Sequence, residues 1–412
     1  MLPEGWRTAK LGELLERIVK PVKVAADSIY QEIGIRSHGR GVFHKDPVSG
    51  EELAEKRVFS VVEDSLVLNI VFAWEHAVAM TSRRDVGLIA SHRFPMYLAR
   101  DGKCDLRYVL HYLLSPQGKE LLDLASPGGA GRNRTLGQDA FEAIKMPCPP
   151  LNEQTKIAEA LDTWDRAIEM TQRLAENVET QRRILLDELV AGIGSHQSGI
   201  QTKQLSDVLA KIEAGVSVNG DDTPAGIGKV GVLKISSVTK GVFDPTENKV
   251  IRDEEVPRAR VSPRADRVIV SRCNTASLVG ASAYVEEDFP DLFLPDKLWL
   301  LSPKEPGSVS MRWLAYWLSA KSTREVLSSH ATGSSASMKN ISKEQLLRLQ
   351  VPLPPLSVQT QISNAIGSWD ASSFKLRAQL RLLQQERQQL LVQLFRGTRR
   401  FACAALGARD EH

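Results

Sequence analysis

The sequence predicts a mixed α/β (α+β) protein built twice over. Two similar globular units are separated by two long helices, which pair as an antiparallel coiled coil about a pseudo-twofold axis. Three observations carry this reading. Pro149-Pro150-Leu151-Asn152-Glu153-Gln154-Thr155 returns as Pro354-Pro355-Leu356-Ser357-Val358-Gln359-Thr360, and the register then holds without a gap through Trp164-Asp165/Trp369-Asp370, Arg182/Arg387 and Gly192/Gly397. Both copies of this segment carry apolar residues at heptad spacing. Upstream of each, short apolar runs alternate with short amphipathic segments between many Gly and Pro residues.

Size and composition agree. A chain of 412 residues has room for two to four domains. Hydrophobic residues make up 42% and charged residues 25%, the mix of a soluble globular protein. That excludes a mostly disordered, collagen-like or disulfide-scaffold chain. The net charge is +3, from 53 basic and 50 acidic residues, so the chain is no polycation. Cys104, Cys148, Cys273 and Cys403 are far apart and form no C-x-x-C pair, which suggests neither a zinc site nor a disulfide framework. Met1-Leu2-Pro3-Glu4-Gly5-Trp6 lacks a basic region followed by an apolar run, so no secretory signal is expected. No stretch of about 18 apolar residues is present to span a bilayer. A soluble, reduced, cytoplasmic protein is expected.

Residues 1–148 form the first globular unit. Leu66–Val71 suits a strand and Arg107–Leu114 an amphipathic helix. Residues 149–192 form the first long helix. It starts after prolines, with Asn152 as a possible N-cap. Its seam reads Ile157, Leu161, Trp164, Ile168, Thr171, Ala175, Val178, Arg182, Leu185, Leu189. Residues 193–201 are a polar linker.

Residues 202–350 form the second globular unit, with strands at Val230–Ile235 and Val268–Val270 and a helix at Met311–Leu318. Upstream matches tie it to the first: Leu11 and Ile18 to Leu205 and Ile212, and Gly41-Val42-Phe43 to Gly241-Val242-Phe243. Residues 351–397 form the second long helix, with Ser357 as its possible N-cap. Its seam is Ile362, Ile366, Trp369, Ser373, Leu376, Leu380, Leu383, Arg387, Leu390, Leu394. Gly367, Ser368, Ser372 and Ser373 are poor helix formers and weaken its start. Gly192 and Gly397 read as C-caps, and residues 398–412 as a C-terminal tail. Residues 146–192 hold 5 basic and 9 acidic residues, whereas residues 351–412 hold 8 and 4. These opposite balances favour pairing of the two helices with each other. Docking of each on an outside partner is the alternative.

Each globular unit is nearly neutral, so nucleic-acid binding would need basic residues concentrated on one face. Arg132-Asn133-Arg134 follows the Gly-rich Gly128–Gly131 turn, where backbone approaches a ligand closely and Arg can fork onto guanine. The counterpart at Ser334, Ser335, Ser337, Lys339 and Asn340 keeps the preceding Gly333 but changes most side chains. Exposed flexible loops explain both equally well from local sequence. Ser271-Arg272-Cys273-Asn274-Thr275 follows a strand, and Arg and Asn are the side chains that pair bidentately with guanine and adenine. Trp74-Glu75-His76 sits at the matching place in the first unit. Its Trp74 and His76 are weaker candidates, because a His beside a Trp is more often packed. Arg83, Arg84, His92 and Arg93 suit phosphate contacts or a solvated basic face. Arg36, His38 and Arg40, beside the repeated Gly-Val-Phe, complete the candidate set.

No G-x-x-x-x-G-K-[ST], H-E-x-x-H or G-x-S-x-G occurs. Both Pro-Pro pairs are followed by Leu, unlike an amino-methyltransferase active site. Neither Pro290-Asp291 nor Pro295-Asp296 leads into an Asp/Glu-x-Lys nuclease cluster. No catalytic centre is expected.

The architecture resembles the specificity subunit of type I restriction–modification systems over nearly the whole chain. The resemblance rests on Pro3-Glu4-Gly5-Trp6 followed by Lys10-Leu11-Gly12-Glu13, and on the duplicated Pro-Pro-Leu-x-x-Gln helices. It rests also on Val270-Ser271-Arg272-Cys273-Asn274-Thr275 with Leu278-Val279-Gly280, which looks like one type of target-recognition domain. Val358 departs from the acidic residue usual at that place in the motif, which Glu153 keeps. The resemblance implies two target-recognition domains that each read one half of a split double-stranded DNA sequence. It implies helices that act as a spacer and dock methyltransferase subunits, two of them, with Gln154, Trp164, Asp165, Gln359, Trp369 and Asp370 as the candidate docking residues. A restriction and translocation subunit would join through the complex, without any membrane. The chain itself would bind no cofactor; S-adenosylmethionine, ATP and Mg are expected on the partners. A duplicated coiled-coil adaptor for proteins is the competing reading.

Overall fold

In chain order the first half runs β1 (Arg7–Lys10), β2 (Leu15–Ile18), β3 (Leu66–Leu68), β4 (Val78–Met80), β5 (Met96–Ala99), α1 (Leu106–Leu113), α2 (Pro116–Leu124), β6 (Lys145–Cys148) and the long helix α3 (Leu151–Gly192). The second half repeats this order as β7 (Gln201–Gln204), β8 (Leu209–Ala214), β9 (Arg267–Ser271), β10 (Ser282–Val285), β11 (Leu298–Pro303), α4 (Met311–Ser319), α5 (Lys321–His330), β12 (Gln350–Leu353) and the long helix α6 (Leu356–Arg396). This computed structural model describes residues 2–53, 56–128, 134–193, 200–335 and 338–401. It divides into a unit of residues 1–171 and 379–412 and a unit of residues 172–378.

The central sheet of the first unit is antiparallel in the order β2-β5-β3-β4, with Met96 opposite Ile18 and Val67 opposite Ala79. Its middle strand explains its sequence. Leu66 and Leu68 face one core, with Leu11, Tyr97, Tyr108 and Phe141. Val67 faces another, with Ile33, Ala79, Phe94 and Met96. Successive strand residues point to opposite faces, and here both faces are buried, so the strand reads as an unbroken apolar run. The start of α3 and the end of α6 close the first core, through Ile157, Ala158 and Leu161 on one and Leu390, Leu391, Leu394 and Phe395 on the other. The Phe395 ring lies 5.3 Å from both Tyr108 and Tyr112. Glu153 pairs with Arg400 and Asp165 with Arg387, so numbers rise on one segment as they fall on the other. The helix segments are antiparallel.

The second unit repeats the plan. Its sheet order is β8-β11-β9-β10. Val268 and Val270 face a core with Trp313, Leu314 and Leu318, and Ile269 faces a core with Ala283, Leu298 and Leu300. Leu186 and Val190 from the end of α3 meet Ile362 and Ile366 from the start of α6. Glu179 pairs with Arg377 and Arg182 with Asp370, again antiparallel. Every seam residue read from the heptad spacing is buried or half-buried, while Met170, Leu174, Phe374 and Leu382, off the seam, are exposed.

Five local expectations are corrected. The long helices begin at Leu151 and Leu356, one residue before the expected caps. Asn152 and Ser357 therefore lie inside the first turn. The Pro150 carbonyl accepts from the Glu153 and Gln154 amides, and the Pro355 carbonyl from those of Val358 and Gln359. Gly397 is left-handed at φ 68° and ends α6 with its N–H on Leu394, but Gly192 stays helical as the last residue of α3. The strand expected at Leu66–Val71 ends at Leu68, because Asn69 Oδ1 accepts from the Val71 amide (3.1 Å) and starts a turn. The run Val230–Ile235 holds a strand only at Gly231–Leu233. Finally, α6 is unbroken through Gly367 and its serines. Ser368 Oγ donates to Ala365 O and Ser372 Oγ to Ser368 O, and Ser373 is buried in the seam.

Candidate nucleic-acid interface

In each unit one connection leaves the central strand and one Gly-rich loop returns to meet it. The Ile70 carbonyl accepts from Leu136 N, and the Arg272 carbonyl from Ile341 N. The Asn69 amide donates to Ala77 O, and that of Ser271 to Ala281 O. Ile70 therefore matches Arg272, and His76 matches Gly280; both of the latter are left-handed, at φ 60° and 74°. Trp74-Glu75-His76 lies in the expected connection but corresponds to Leu278-Val279-Gly280, not to Arg272–Asn274.

In the second unit the returning loop is a hairpin of Thr332–Ser335 with Met338–Asn340, and it pairs with Cys273–Asn274. Cys273 faces Asn340 and Asn274 faces Lys339, whose Nζ donates to Gly333 O at 2.7 Å. Two segments singled out separately in the sequence thus share one surface. In the first unit the equivalent bridge joins Gly128 to Arg134. The Arg134 guanidinium lies 5.3 Å over the Trp74 ring, donates to Ser126 O and Asp123 O, and pairs with the Asp123 carboxylate at 2.7 Å. Arg132, Asn133, Ser337 and the Ser334 and Ser335 side chains lie outside the described residues.

The donors left over define what each surface offers. Arg272 is half-buried, and its Nε donates to Asp296 O at 2.8 Å. Asn274 Oδ1 accepts from Thr275 N at 2.8 Å, which leaves its NH₂ to donate. Thr275 Oγ1 lies 3.2 Å from Ser277 Oγ. Ser271 is a correction. It is fully buried at the end of β9 and its hydroxyl donates to Cys273 O, so it faces no ligand.

Around the first unit's connection, Arg36 stacks 4.8 Å from Phe43 and Arg40 Nε donates to Ser37 O. His38 is left-handed; its N–H donates to Glu75 O, and the Gly39 N–H to His76 O. This loop is pinned to the Ala73–Glu75 turn. Burial holds the His76 pKa below the usual imidazole value, with Lys119 and His38 adding to the effect. Its Nε2 is buried and has no partner among the described residues. Arg83 and Arg84 are exposed on a turn capped by Ser82 and Asp85. Burial works to raise the Asp85 pKa, but hydrogen bonds from His44 and Ser82 hold it low. His92 and Arg93 are exposed at a cavity of about 380 Å³ that Lys45, Lys56 and Arg57 also line. Those three were not legible as site residues, since they come from separate segments without a motif.

The candidate docking residues serve first inside the fold. Gln154 and Gln359 are 1% and 2% exposed. Gln154 Nε2 donates to Pro149 O and its Oε1 accepts from Asp105 N, the residue that caps α1. Gln359 repeats this with Pro354 O and Ser310 N, the cap of α4. Asp165 accepts two hydrogen bonds from Arg387, at 2.6 and 2.9 Å. Asp370 accepts from Arg182 and, at 2.6 Å, from Tyr316 Oη. Trp164 packs against the first core, and Trp369 is half-buried. Among the described residues no cluster of His, Cys, Asp and Glu is placed to hold a metal ion, and no helix is long and apolar enough to cross a membrane.

A repeated loop surface on a repeated sheet, closed by antiparallel helices, agrees with what known proteins show. Residues 3–180 and 197–382 match the family described as type I restriction modification DNA specificity domain. The chain belongs to that family. It is 26% identical over 186 residues to the type I restriction enzyme EcoEI specificity subunit of Escherichia coli, covering 44% of this chain and 31% of that one. It is 22% identical over 308 residues to the EcoKI specificity subunit of Escherichia coli strain K12, covering 70% and 65%. The matches thus span less than two thirds of either relative. The crystal structure of a type I restriction–modification S subunit from M. genitalium shares the fold, with a TM-score of 0.61, 14% identity, and 95% and 96% of the two chains covered.

Proposed function

We propose that this chain reads DNA sequence for a type I restriction–modification complex. Each unit reads one half of a split double-stranded site through the connection after its central strand and the adjoining Gly-rich loop. The observation that carries the reading is the duplication itself: the same two segments meet in both units, but with Trp74 and Arg134 in one and Arg272, Asn274, Lys339 and Asn340 in the other. Equivalent surfaces with different donors suit two readers of different sequences. On this reading methyltransferase subunits, two of them, dock along the long helices, and the restriction subunit joins through them. S-adenosylmethionine, ATP and Mg belong to those partners, and this chain performs no chemistry.

Methylome sequencing tests it. A host that expresses this chain with its cognate methyltransferase is compared with one that expresses the methyltransferase alone. A split methylated motif seen only with this chain is the expected result. A stable, active complex without any new motif would favour the protein-adaptor reading instead.

A further inference from the structure

The first unit balances 20 basic against 19 acidic residues over positions 1–145, yet its cations are not spread evenly. Lys45, Lys56, Arg57 and Arg93 converge from three separate segments on one open groove, beside His92. Glu32 is the acid that lines it, and it is held by Lys45 at 3.3 Å. Among the described residues no acid pairs with Lys56, Arg57 or Arg93, and all three are exposed. Lys56, Arg57 and Arg93 gathered beyond the reach of that one pair repel each other, so the fold gains nothing from their arrangement. An anion would gain from it.

The groove's other walls narrow the choice. Its apolar surface is Val71, Phe72 and Phe94. Its amide, Asn69, accepts from Val71 N and keeps its NH₂ to donate. The rest of the lining is mostly exposed charge, and exposed Lys and Arg contact phosphate oxygens more often than base edges. The second unit differs at the matching place. Ile70 N donates to Arg93 O just as Arg272 N donates to Lys297 O, so Lys297 keeps the charge of Arg93, but Asp296 takes the position of His92 and pairs with Arg272.

We infer that this groove of the first unit is a phosphate clamp: Lys56, Arg57 and Arg93 hold the sugar-phosphate backbone of duplex DNA, independently of its sequence. The inference rests on the proposed DNA-reading function and assigns that function's affinity and its specificity to different residues.

The test uses the full chain in complex with its methyltransferase, and a labelled random-sequence duplex beside the methylated target duplex. Lys56→Gln, Arg57→Gln and Arg93→Gln are combined, with Arg57→Lys/Arg93→Lys as the charge-preserving control. Each lost phosphate contact flattens the plot of log K against log salt by about 0.9, so the triple variant's slope falls by roughly two to three. Affinity for both duplexes drops by the same factor, the control keeps the wild-type slope, and the methylated motif is unchanged. An unaltered slope would overturn the clamp. So would a loss confined to the target duplex with a changed motif, since the groove would then read bases. A wild-type complex without salt-dependent binding to either duplex would overturn the DNA-reading function as well.

Discussion

The two units share a sheet order and a buried glutamine but close their ends differently. In the first, the buried Glu153 accepts from Trp6 Nε1 at 3.1 Å and from two nitrogens of Arg400 at 3.1 and 2.9 Å. In the second, Val358 takes the place of Glu153 and Ile200 that of Trp6, and both pack against the apolar core. The missing acid of the second Pro-Pro-Leu motif is thus half of a paired change. A similar exchange occurs beside the helix seam. Asp162 accepts from Arg107 and lies 2.8 Å from His111 Nε2. The equivalent of Asp162 is Gly367, and there Arg312 turns to Glu286 at 2.5 Å while Tyr316 stands where His111 does. A polar cluster and an apolar contact serve the same position only if all members change together, because a buried charge left alone costs more than the pair gains.

The largest effect expected is on the seam pairs. Arg182 is 8% exposed, and Arg182→Ala leaves the Asp370 charge with Tyr316 Oη but no cation, so the second unit should lose about 3 kcal/mol. Arg387→Ala leaves Asp165, whose side chain is 44% exposed and solvated, and should cost the first unit about 1 kcal/mol. Urea titration of each variant checks both, and equal losses would break the comparison. Next, Glu153→Val removes the acceptor of the Trp6 N–H and the carboxylate that Arg400 pairs with, and should cost about 2 kcal/mol. Adding Trp6→Ile and Arg400→Met should recover part of it, read as a rise in melting temperature over the single variant.

A smaller effect separates the left-handed positions. His76→Gly relieves a strained backbone and should change stability by less than about 1 kcal/mol, toward the folded state. Gly280→His should destabilise the fold, since a Cβ there would come within 2.7 Å of Leu327 Cδ1. Thermal melting of the two variants should therefore move in opposite directions. The smallest effect is on acid stability. Burial works to raise the Asp162 pKa, but His111 and Arg107 hold it below the usual carboxylate value. A depressed carboxyl stabilises the fold above its unfolded pKa and stops doing so as pH falls through the folded one. The first unit should weaken below about pH 4, and Asp162→Asn should flatten that dependence. Gly367 gives the second unit no counterpart, which pH titration of unfolding can show.

What the sequence revealed was whatever repeats. The seams were legible because a heptad period survives substitution, and Val268-Ile269-Val270 because a strand buried on both faces is apolar throughout. The meeting of Cys273–Asn274 with Met338–Asn340 was not legible, since no local pattern links residues so far apart. Gln154 and Gln359 were visible as a matched pair, but their burial was hidden: a glutamine that bonds a proline carbonyl looks like a surface glutamine in sequence. Ser271 misled for the opposite reason, as a polar residue at the end of a strand whose hydroxyl is satisfied within the core. Lys45, Lys56 and Arg57 carried no signal, because only folding brings them together.

The most direct test of two separate readers is the methylome of two variants in the intact complex. Arg272→Ala/Asn274→Ala alters the second unit's surface, and Trp74→Ala that of the first. Each should relax or abolish the sequence requirement in one half of the split motif and leave the other half and the gap unchanged. If both variants altered the same half, or both halves together, the account of one reader per unit would be contradicted.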